Sequence, residues 1–346
     1  MTPENRPGQR RSFVRRPASI KDVAAEAGVS ATTVSHVLSG NRPVNEETAS
    51  RVRAVVSRLG YVPASLARSL QAGSTSVIGL LIPDISNAFF ASMAKGVEDA
   101  AHELGYGVIL CNTDFDEARE DHYLGLIRSR FIDGMVYVAG SRPSKQRMES
   151  LMGQFPIALA DEEIEGFEAL FASADHRSGG RLIGEHLRAL GHRRALLLSG
   201  PLDLKSSADR AAGFTQAFDG EVVEMAGDFM ENSGFDLLRA SLAGGRASYT
   251  AVFAANDLMA FGAIAALREA GLEVPGDVSV AGFDDIRVAA LAHPSLTTVR
   301  QPAYDVGRTV AAQLLQYVSR GEVPPASRHI LPVELKVRAS TSAPAS

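Results

Sequence analysis

The sequence of 346 residues contains one cysteine, no tryptophan and only 6% aromatic residues. A single cysteine, Cys111, excludes an internal disulfide and a metal site built from several cysteines, and it is typical of a protein from a reducing compartment. We expect Cys111 to pack in a buried strand. The N-terminal segment 1–18 lacks the apolar stretch of a secretory signal, and no uncharged run reaches the length of a membrane span. We therefore expect a cytoplasmic protein that makes no membrane contact.

Motifs of the common catalytic sites are also absent. The eight histidines show no metal-ligand spacing such as HExxH, there is no GxSxG, and the glycines at 179–180 and 244–245 form no phosphate loop. The carboxylates Asp284 and Asp285 could suggest acid–base chemistry, but neighbouring loop residues commonly point apart. The sequence therefore predicts a protein that is not an enzyme and that needs no cofactor or metal.

Charge is distributed unevenly along the chain. Positions 1–75 hold 11 Lys and Arg against 5 Asp and Glu, a net charge of +6, whereas positions 76–346 hold 24 against 35, a net charge of −11. The segment 1–18 contains five of the arginines among Pro, Gly and Gln, and we interpret it as a flexible basic arm. This asymmetry is typical of a phosphate-binding module joined to a soluble effector domain.

Residues 19–40, SIKDVAAEAGVSATTVSHVLSG, predict two short amphipathic helices joined by a tight turn. Ser19 with Asp22 resembles a capping box, Gly28 supplies the turn, and Ser30 caps the second helix. This pattern is typical of a helix-turn-helix, whose second helix fits the major groove of B-DNA. Taken without its context, the same pattern would fit an ordinary helical hairpin equally well.

The following residues favour the DNA-binding interpretation. Asn45 caps a third helix in which Val52, Val55, Val56 and Leu59 repeat at helical spacing, so that three helices share one small core. A short Ala/Leu/Arg helix then begins at Pro63 and leads into an apolar strand.

Residues 19–75 resemble the DNA-binding headpiece and hinge of the lactose-repressor (LacI/GalR) family of bacterial transcription regulators. The resemblance is carried by IKDVAAEAGVS, TTVSHVLSG, RLGYVP and LARSL, and it continues to the end of the chain. It implies a homodimer whose recognition helices enter the major grooves of a pseudo-palindromic DNA operator, with paired hinge helices in the central minor groove. The C-terminal sequence ASTSAPAS has no leucine heptad, so the tetramer-forming helix of the lactose repressor is not expected.

The resemblance also assigns DNA-contacting residues. Ala31, Thr32 and His36 correspond to residues that contact base edges, and Thr33 and Ser35 are expected to meet phosphates. We expect Arg16 in the arm to contact DNA regardless of its sequence. In the hinge the DNA-contacting positions are Leu66, Ala67 and Leu70. Leu70 matches the leucine that the family wedges between central base pairs, although its position also fits ordinary helix packing. Gln71 departs from the lysine of the purine- and ribose-type members, which puts one minor-groove charge contact in doubt.

The rest of the chain, from position 76 onward, alternates apolar runs with helical segments, the pattern of a parallel sheet with helices on both faces. We predict strands at 77–82, 106–111, 134–139, 156–160, 195–199, 250–255 and 278–283, and helices at 89–104, 117–130, 177–190, 209–218, 258–270 and 303–317. The elements form two series, before and after about residue 175, so two doubly wound lobes are expected.

The resemblance implies a core similar to periplasmic sugar-binding proteins, with three crossover strands between the lobes. The expected division is a basic arm at 1–18, an all-α headpiece at 19–62, a hinge at 63–75, a first lobe at 76–175 plus 302–328, a second lobe at 176–301 plus 329–340, and a disordered tail at 341–346.

A ligand in such sheets lies beyond the carboxyl ends of the strands, where this sequence places amides, carboxylates and aromatic rings. These are the groups that bind a polyhydroxylated ring, because each desolvated hydroxyl needs both a donor and an acceptor. The resemblance implies nine effector-binding residues. They are Asn87, Phe89, Phe90, Asp161, Arg210, Phe229, Asn256, Asp284 and Gln301.

Two positions depart from the family pattern. Glu162 stands where ribose- and purine-type members carry a tryptophan, and Leu204 replaces an arginine that purine-type members use on the base. Because an apolar side chain would leave polar groups of a purine unpaired, Leu204 argues against a purine ligand. The sequence therefore predicts a repressor of carbohydrate catabolic genes that a small ribose-like sugar releases from its operator in the bacterial nucleoid. A corepressor-type regulator that binds a purine and, less favoured, a sugar-binding transport protein remain as alternatives.

Overall fold

The computed structural model describes residues 18–40, 42–61, 74–126, 131–140, 146, 148–149, 155–243 and 248–345. The chain divides after Gly73 into two compact units. The predicted basic arm and the hinge helix lie outside the described residues, and with them the DNA-contacting positions Arg16, Leu66, Ala67 and Leu70.

The described residues of the first unit form three helices, α1 (Ile20–Ala27), α2 (Ala31–Ser39) and α3 (Glu46–Leu59). The predicted caps are confirmed. Ser19 and Asp22 form a reciprocal capping box, and the side chain of Ser30 accepts a hydrogen bond from the backbone N–H of Thr33 at 3.1 Å. Gly28 has a φ of 65°, the left-handed backbone that the tight turn between α1 and α2 requires.

The three helices enclose one small apolar core. Val23 from α1, Val34 from α2 and Val52 from α3 are fully buried against one another. The predicted helical spacing therefore places one apolar face of each helix inward. This leaves the polar face of α2 available for contact with another molecule.

The second unit contains two six-stranded sheets. The first sheet has the order β11-β5-β4-β3-β1-β2, and all of its pairs are parallel. Its strands are β1 (Val77–Ile82), β2 (Gly107–Asn112), β3 (Gly134–Tyr137), β4 (Ile157–Ala160), β5 (Leu170–Ala174) and β11 (Ser327–Leu331). The central strands are buried on both faces, as is usual for a doubly wound sheet. Cys111 is buried in β2, as predicted.

The second sheet has the order β12-β10-β9-β8-β6-β7 and is parallel except for the antiparallel pair of β10 with β12. Its strands are β6 (Arg194–Ser199), β7 (Glu221–Ala226), β8 (Ala251–Ala254), β9 (Ser279–Asp284), β10 (Thr297–Arg300) and β12 (Glu334–Lys336). Two similar parallel-sheet lobes therefore form the core, and the predicted fold class is confirmed.

Helices cover both sheets. They are α4 (Ala88–Glu103), α5 (Glu117–Leu126), α6 (His176–Ala189), α7 (Lys205–Phe218), α8 (Glu231–Ser241), α9 (Asp257–Glu269) and α10 (Ala303–Val318). Some pairs approach so closely that only glycine fits between them. A Cβ atom on Gly180 of α6 would lie 2.0 Å from the backbone oxygen of Arg210 in α7. This contact fixes the position of Arg210 relative to α6.

The chain crosses between the lobes three times. It leaves the first sheet after β5, returns with α10, which packs against α4 and the first sheet, and crosses again between β11 and β12. Residues 329–331, which the sequence interpretation assigned to the second lobe, pair with β5 in the first sheet instead. The final crossing therefore follows Leu331 instead of residue 328, because the whole of β11 pairs in parallel with β5 at the edge of the first sheet.

The structure adds elements that the sequence did not predict, namely β5, β7, β10, β11, β12 and α8. For β7 the reason why the sequence did not predict a strand is clear. Its sequence EVVEMA lies at the edge of the sheet with both glutamates exposed, so it lacks the continuous apolar run of a central strand. The helix predicted from 209 begins earlier, at Lys205.

Candidate functional site

A cleft lies between the two lobes, beyond the carboxyl ends of the strands. Eight of the nine residues predicted to contact an effector line it, namely Asn87, Phe89, Phe90, Asp161, Arg210, Phe229, Asn256 and Asp284. The ninth, Gln301, is buried and donates a hydrogen bond of 2.6 Å to Asp284 from its amide nitrogen. The predicted residues are thus brought together, and their role in binding stays a prediction.

The first lobe contributes an amide and two aromatic rings at the start of α4. Asn87 caps this helix, since its Oδ1 accepts a hydrogen bond of 3.0 Å from the N–H of Phe89. Among the described residues, no hydrogen bond from the amide NH₂ group of Asn87 accompanies this cap. The rings of Phe89 and Phe90 meet edge to face at 5.2 Å, which gives the cleft an apolar wall.

A buried polar chain links the two lobes. The Nε2 of His176 lies 3.3 Å from Asp161 and 3.0 Å from the hydroxyl of Ser173, and the His176 Nδ1 accepts a hydrogen bond of 3.3 Å from the Nε of Arg210. Because the guanidinium only donates, this contact requires an unprotonated Nδ1, and Nε2 then carries the hydrogen that faces Asp161. His176 lies where the chain first crosses between the lobes, and it orients both the carboxyl of Asp161 and the guanidinium of Arg210. It was not among the predicted residues.

Arg210 is held firmly at the bottom of the cleft. One of its terminal nitrogens donates a hydrogen bond of 2.7 Å to the carbonyl of Ala255, and its guanidinium carbon lies 4.2 Å from the ring centre of Phe283 and 5.5 Å from that of Phe229. These contacts fix the guanidinium plane without neutralising its charge. Such a preorganised donor suits a polar ligand.

The second lobe contributes a carboxyl and an amide. Burial raises the pKa of Asp284 to about 7, although Arg210, 3.9 Å away, and the hydrogen bond from Gln301 oppose the shift. The Oε1 of Gln301 is buried without a hydrogen-bond partner among the described residues. An unpaired buried acceptor is costly, so a ligand donor that reached Oε1 would gain affinity.

Asn256 and Asp257 follow β8 and serve different purposes. The Oδ1 of Asn256 caps α9, and its amide nitrogen donates a hydrogen bond of 2.8 Å to the carbonyl of Phe229, so the residue supports the cleft wall. Asp257 is fully buried behind the cleft and accepts hydrogen bonds from the N–H of Ile286 and the hydroxyl of Thr298. Burial raises the pKa of the Asp257 carboxyl well above its ordinary value.

Strained backbone is concentrated in the cleft lining. Asp161, Phe229 and Asp284 all have positive φ angles, of 64°, 68° and 117°. Residues other than glycine rarely adopt this conformation, and such strain persists mainly where surrounding contacts enforce it at functional sites. At Phe229 the ring occupies the space beside Gly200, where a Cβ atom would lie 2.2 Å from it.

Glu162 and Ser206 also line the cleft, and neither was among the predicted binding residues. Glu162 follows β4 in the first lobe and Ser206 lies in the first turn of α7 in the second lobe, and their side chains are hydrogen bonded. Glu162 could have been recognised from its position after Asp161 at a strand end. Ser206 gave no such signal, because its approach to the cleft depends on how the lobes close.

On the recognition helix α2, Thr32 and Ser35 are exposed, while Ala31, Thr33 and His36 are half-buried. The Thr33 hydroxyl lies 2.9 Å from that of Ser30 and so takes part in the helix cap. Thr32 and His36 lie on the side of α2 opposite the buried Val34, Thr33 and Ser35 lie at its flanks, and Ala31 packs against the headpiece core. The side opposite Val34 is the surface that a major-groove contact requires.

The described residues also bear on membrane and metal binding. None of the helices there combines the length and apolar character needed to cross a membrane. Within those same ranges, no group of three or more His, Cys, Asp or Glu residues is arranged to hold a metal ion.

Comparisons with known proteins agree with both halves of the chain. Residues 19–64 match the family described as bacterial regulatory proteins, lacI family, and residues 185–341 match the periplasmic binding protein-like domain. The ribose operon repressor of Escherichia coli strain K12 is 35% identical over 313 residues, which cover 88% of this chain and 94% of that repressor.

Solved structures give the same result. The lac repressor dimer bound to operator and the anti-inducer ONPF matches with a TM-score of 0.82 and 29% identity, over 95% of this chain and all of that one. A LacI family transcriptional regulator from Enterococcus faecalis, solved with bound ribose, matches with a TM-score of 0.69 and 31% identity, over 77% of this chain and 99% of that one.

Proposed function

Because the chain belongs to the lacI family of bacterial transcriptional regulators and is not an enzyme, we propose that a small sugar bound in the interlobe cleft controls its grip on operator DNA. The sugar is ribose or another small pentose or hexose, and its binding releases the repressor from carbohydrate catabolic genes. The protein acts as a homodimer in the cytoplasm, where the operator lies.

The observation that carries this proposal is the composition of the cleft. An aromatic wall at Phe89 and Phe90 faces fixed polar groups that include Asn87, Arg210 and Asp284. A sugar ring has apolar faces and a rim of hydroxyls, each of which needs a donor and an acceptor when it leaves water. The cleft offers both kinds of surface in one place. The name of the ribose operon repressor and the ribose bound to the Enterococcus faecalis regulator support the sugar class.

The headpiece at 19–62 supplies sequence recognition. Ala31, Thr32 and His36 read base edges from α2, and Thr33 and Ser35 contact phosphates. The excess of positive charge at positions 1–75 favours DNA over other polar partners, and salt weakens such binding through counterion re-association. A dimer is needed because one recognition helix reads one half-site, and the operator of the lac repressor dimer supports this arrangement.

The link between sugar and DNA begins where the hinge at 63–75 joins the first lobe. The carboxylate of Asp133 accepts hydrogen bonds from the N–H groups of Thr75 and Ser76 at 2.7 and 2.8 Å and from the hydroxyl of Ser74 at 2.6 Å. These contacts fasten the end of the hinge segment to the loop before β3. A sugar changes DNA affinity only if it binds the DNA-competent and DNA-incompetent arrangements of the lobes unequally. Asp133 couples the position of the first lobe to the end of the hinge segment, so a change of arrangement is transmitted through this contact.

One experiment tests the proposal directly. Thermal unfolding of the full chain is measured with ribose, other pentoses, hexoses and purines, and fluorescence anisotropy measures operator binding with each ligand that stabilises the protein. We expect a sugar to raise the unfolding temperature and to weaken operator binding. Stabilisation by hypoxanthine or guanine but by no sugar would contradict the proposal in favour of a corepressor.

A matched pair of variants places the sugar in the cleft. Asn87→Ser keeps a helix cap for α4 but removes the amide NH₂ group, so stability changes by only a few tenths of a kcal/mol while sugar affinity falls about tenfold or more. Asn45→Ser makes the same change at the cap of α3 in the headpiece and leaves sugar affinity unchanged. Equal sugar affinity in the two variants would place the ligand elsewhere.

A further inference from the structure

The charges that line the cleft are unbalanced. Asp161, Glu162 and Asp284 bring three carboxyl groups to it, and among the described lining residues Arg210 is the single cation. Burial strengthens charge interactions, because little water is available to screen them. A sugar phosphate would therefore meet a single guanidinium and no second cation among the described lining residues.

The single guanidinium is already committed. Arg210 donates to His176 and to the carbonyl of Ala255, and it lies 3.9 Å from Asp284 of the same lobe. Of the three carboxyls, Asp161 faces His176 and Asp284 faces Arg210 and Gln301. In the part of the chain that the structure describes, Glu162 forms no ion pair with an arginine, lysine or histidine.

Glu162 is held at the boundary between the lobes by one residue. Its two carboxyl oxygens face the hydroxyl and the backbone N–H of Ser206, the latter at 3.2 Å, and the residue is only 5% exposed. Ser206 lies in the first turn of α7, whose N-cap Leu204 provides no side-chain hydrogen bond. The Glu162 carboxyl takes the place of that missing cap, so its position is fixed by the fold.

The environment of Glu162 disfavours a lone negative charge. Burial, together with the neighbouring negative charge of Asp161, raises the pKa of Glu162 to about 8, although Ser206 and Arg210 act in the opposite direction. A buried carboxyl without a cation remains protonated at neutral pH, whereas a cation placed beside it restores the carboxylate.

We propose that Glu162 is the specificity-determining residue of this cleft and that it selects an amino sugar over the corresponding neutral sugar. This inference rests on the proposed function, in which the cleft binds a small sugar. The ligand's ammonium group donates to the Glu162 carboxylate, which keeps its contact with Ser206. A hydroxyl at the same place offers one hydrogen and no charge, and a phosphate meets three carboxyls instead of a cationic pocket.

The proton balance of the binding step follows. At pH 7 the free protein holds a proton on Glu162 and the amino sugar in solution carries its own charge. Formation of the ion pair therefore transfers the Glu162 proton to the buffer, with no other bond made or broken. A neutral sugar binds without this release, which gives the proposal a readout that is independent of affinity.

The experiment is isothermal titration of the full chain at pH 7 with ribose, glucose, galactose and mannose, and with the aminodeoxy and N-acetylated forms of each. We expect one aminodeoxy sugar to bind about tenfold or more tightly than its parent, with acetylation abolishing the gain because it removes the positive charge. Titration in two buffers of different ionisation enthalpy should show release of about one proton.

Two variants identify the residue responsible. Glu162→Gln keeps the size and the hydrogen bonding to Ser206, and it should remove both the amino-sugar preference and the proton release. Asp203→Asn removes the same charge from an exposed position in the neighbouring loop and should retain both. Preference that survives in Glu162→Gln would overturn the inference.

The outcomes also separate this inference from the proposed function. Binding of neutral sugars without any gain for their amino forms would overturn the role of Glu162 and leave the sugar-controlled regulator intact. Failure of every sugar to bind would overturn both.

Discussion

Replacing the buried carboxyl of Glu162 by an amide should stabilise the core, and the gain should depend on pH. The raised pKa of about 8 lies above the ordinary value of 4.5, so folding at neutral pH requires the carboxyl to take up a proton. The contribution of Glu162 to the stability of the core is therefore greatest below pH 4.5 and is lost as the pH rises toward 8. Glu162→Gln has no such proton to take up.

The magnitude follows from the two pKa values. One pKa unit corresponds to about 1.4 kcal/mol, so the wild-type carboxyl costs about 3 kcal/mol at pH 7 and approaches about 5 kcal/mol above pH 8. Glutamine can still accept from the N–H of Ser206 and donate to its hydroxyl, which preserves the cap of α7. The variant should therefore gain most of this energy.

Urea unfolding of both proteins between pH 5.5 and 8.5 measures the effect, followed by tyrosine fluorescence because the chain has no tryptophan. The difference in stability should widen by roughly 1 kcal/mol per pH unit below pH 8, since other titrating groups cancel between the two proteins. A difference that stays constant with pH, or a wild-type protein that is more stable at pH 8, would refute the reasoning.

Three further predictions concern the headpiece, the helix packing and the hinge. His36→Ala should lose about 1–3 kcal/mol on operator DNA and little on random duplex, whereas Arg16→Ala should weaken both alike; equal losses for His36→Ala in fluorescence anisotropy would contradict base reading. Gly180→Ala should destabilise the core by roughly 1–3 kcal/mol or more in urea unfolding because its Cβ would meet the backbone of α7, while Gly125→Ala, with no atom within 4 Å, should be neutral or stabilising. Asp133→Ala should reduce the coupling between sugar and operator by roughly 0.5–2 kcal/mol at unchanged sugar affinity, and a loss of sugar affinity instead would place Asp133 in the binding site.

The headpiece could be predicted in detail because its signals are local. The capping box at Ser19, the turn at Gly28 and the caps at Ser30 and Asn45 each involve residues within a few positions of one another. Central strands such as β1 and β8 were equally clear as short apolar runs. Edge strands such as β7 and β11 were not, because half of their side chains face solvent and their sequences are mixed.

The cleft was predicted residue by residue, but not its network of contacts. Eight of the nine predicted positions follow strands or begin helices, so the topology of a doubly wound sheet brings them to the same edge, whereas Arg210 lies in the second turn of α7. The contact of Glu162 with Ser206 and the bridging position of His176 join different lobes across the crossings. Contacts of this kind depend on how far the lobes close, and no periodicity in the sequence encodes that distance.

The same interlobe contacts determine how a ligand can act. The contact of Glu162 with Ser206 and the contact of Asp161 with His176 are polar links between the lobes, and both involve carboxyls that line the cleft. A ligand that changes the ionisation of Glu162 therefore changes a contact that holds the lobes together. Asp133 fastens Ser74, Thr75 and Ser76 to the first lobe, and the proposed function assigns to this contact the transmission of a shift of that lobe. In the proposed mechanism, ligand selection and the release of operator DNA both depend on the Glu162 carboxyl, so Glu162→Gln is expected to alter both the sugar preference and the response of operator binding.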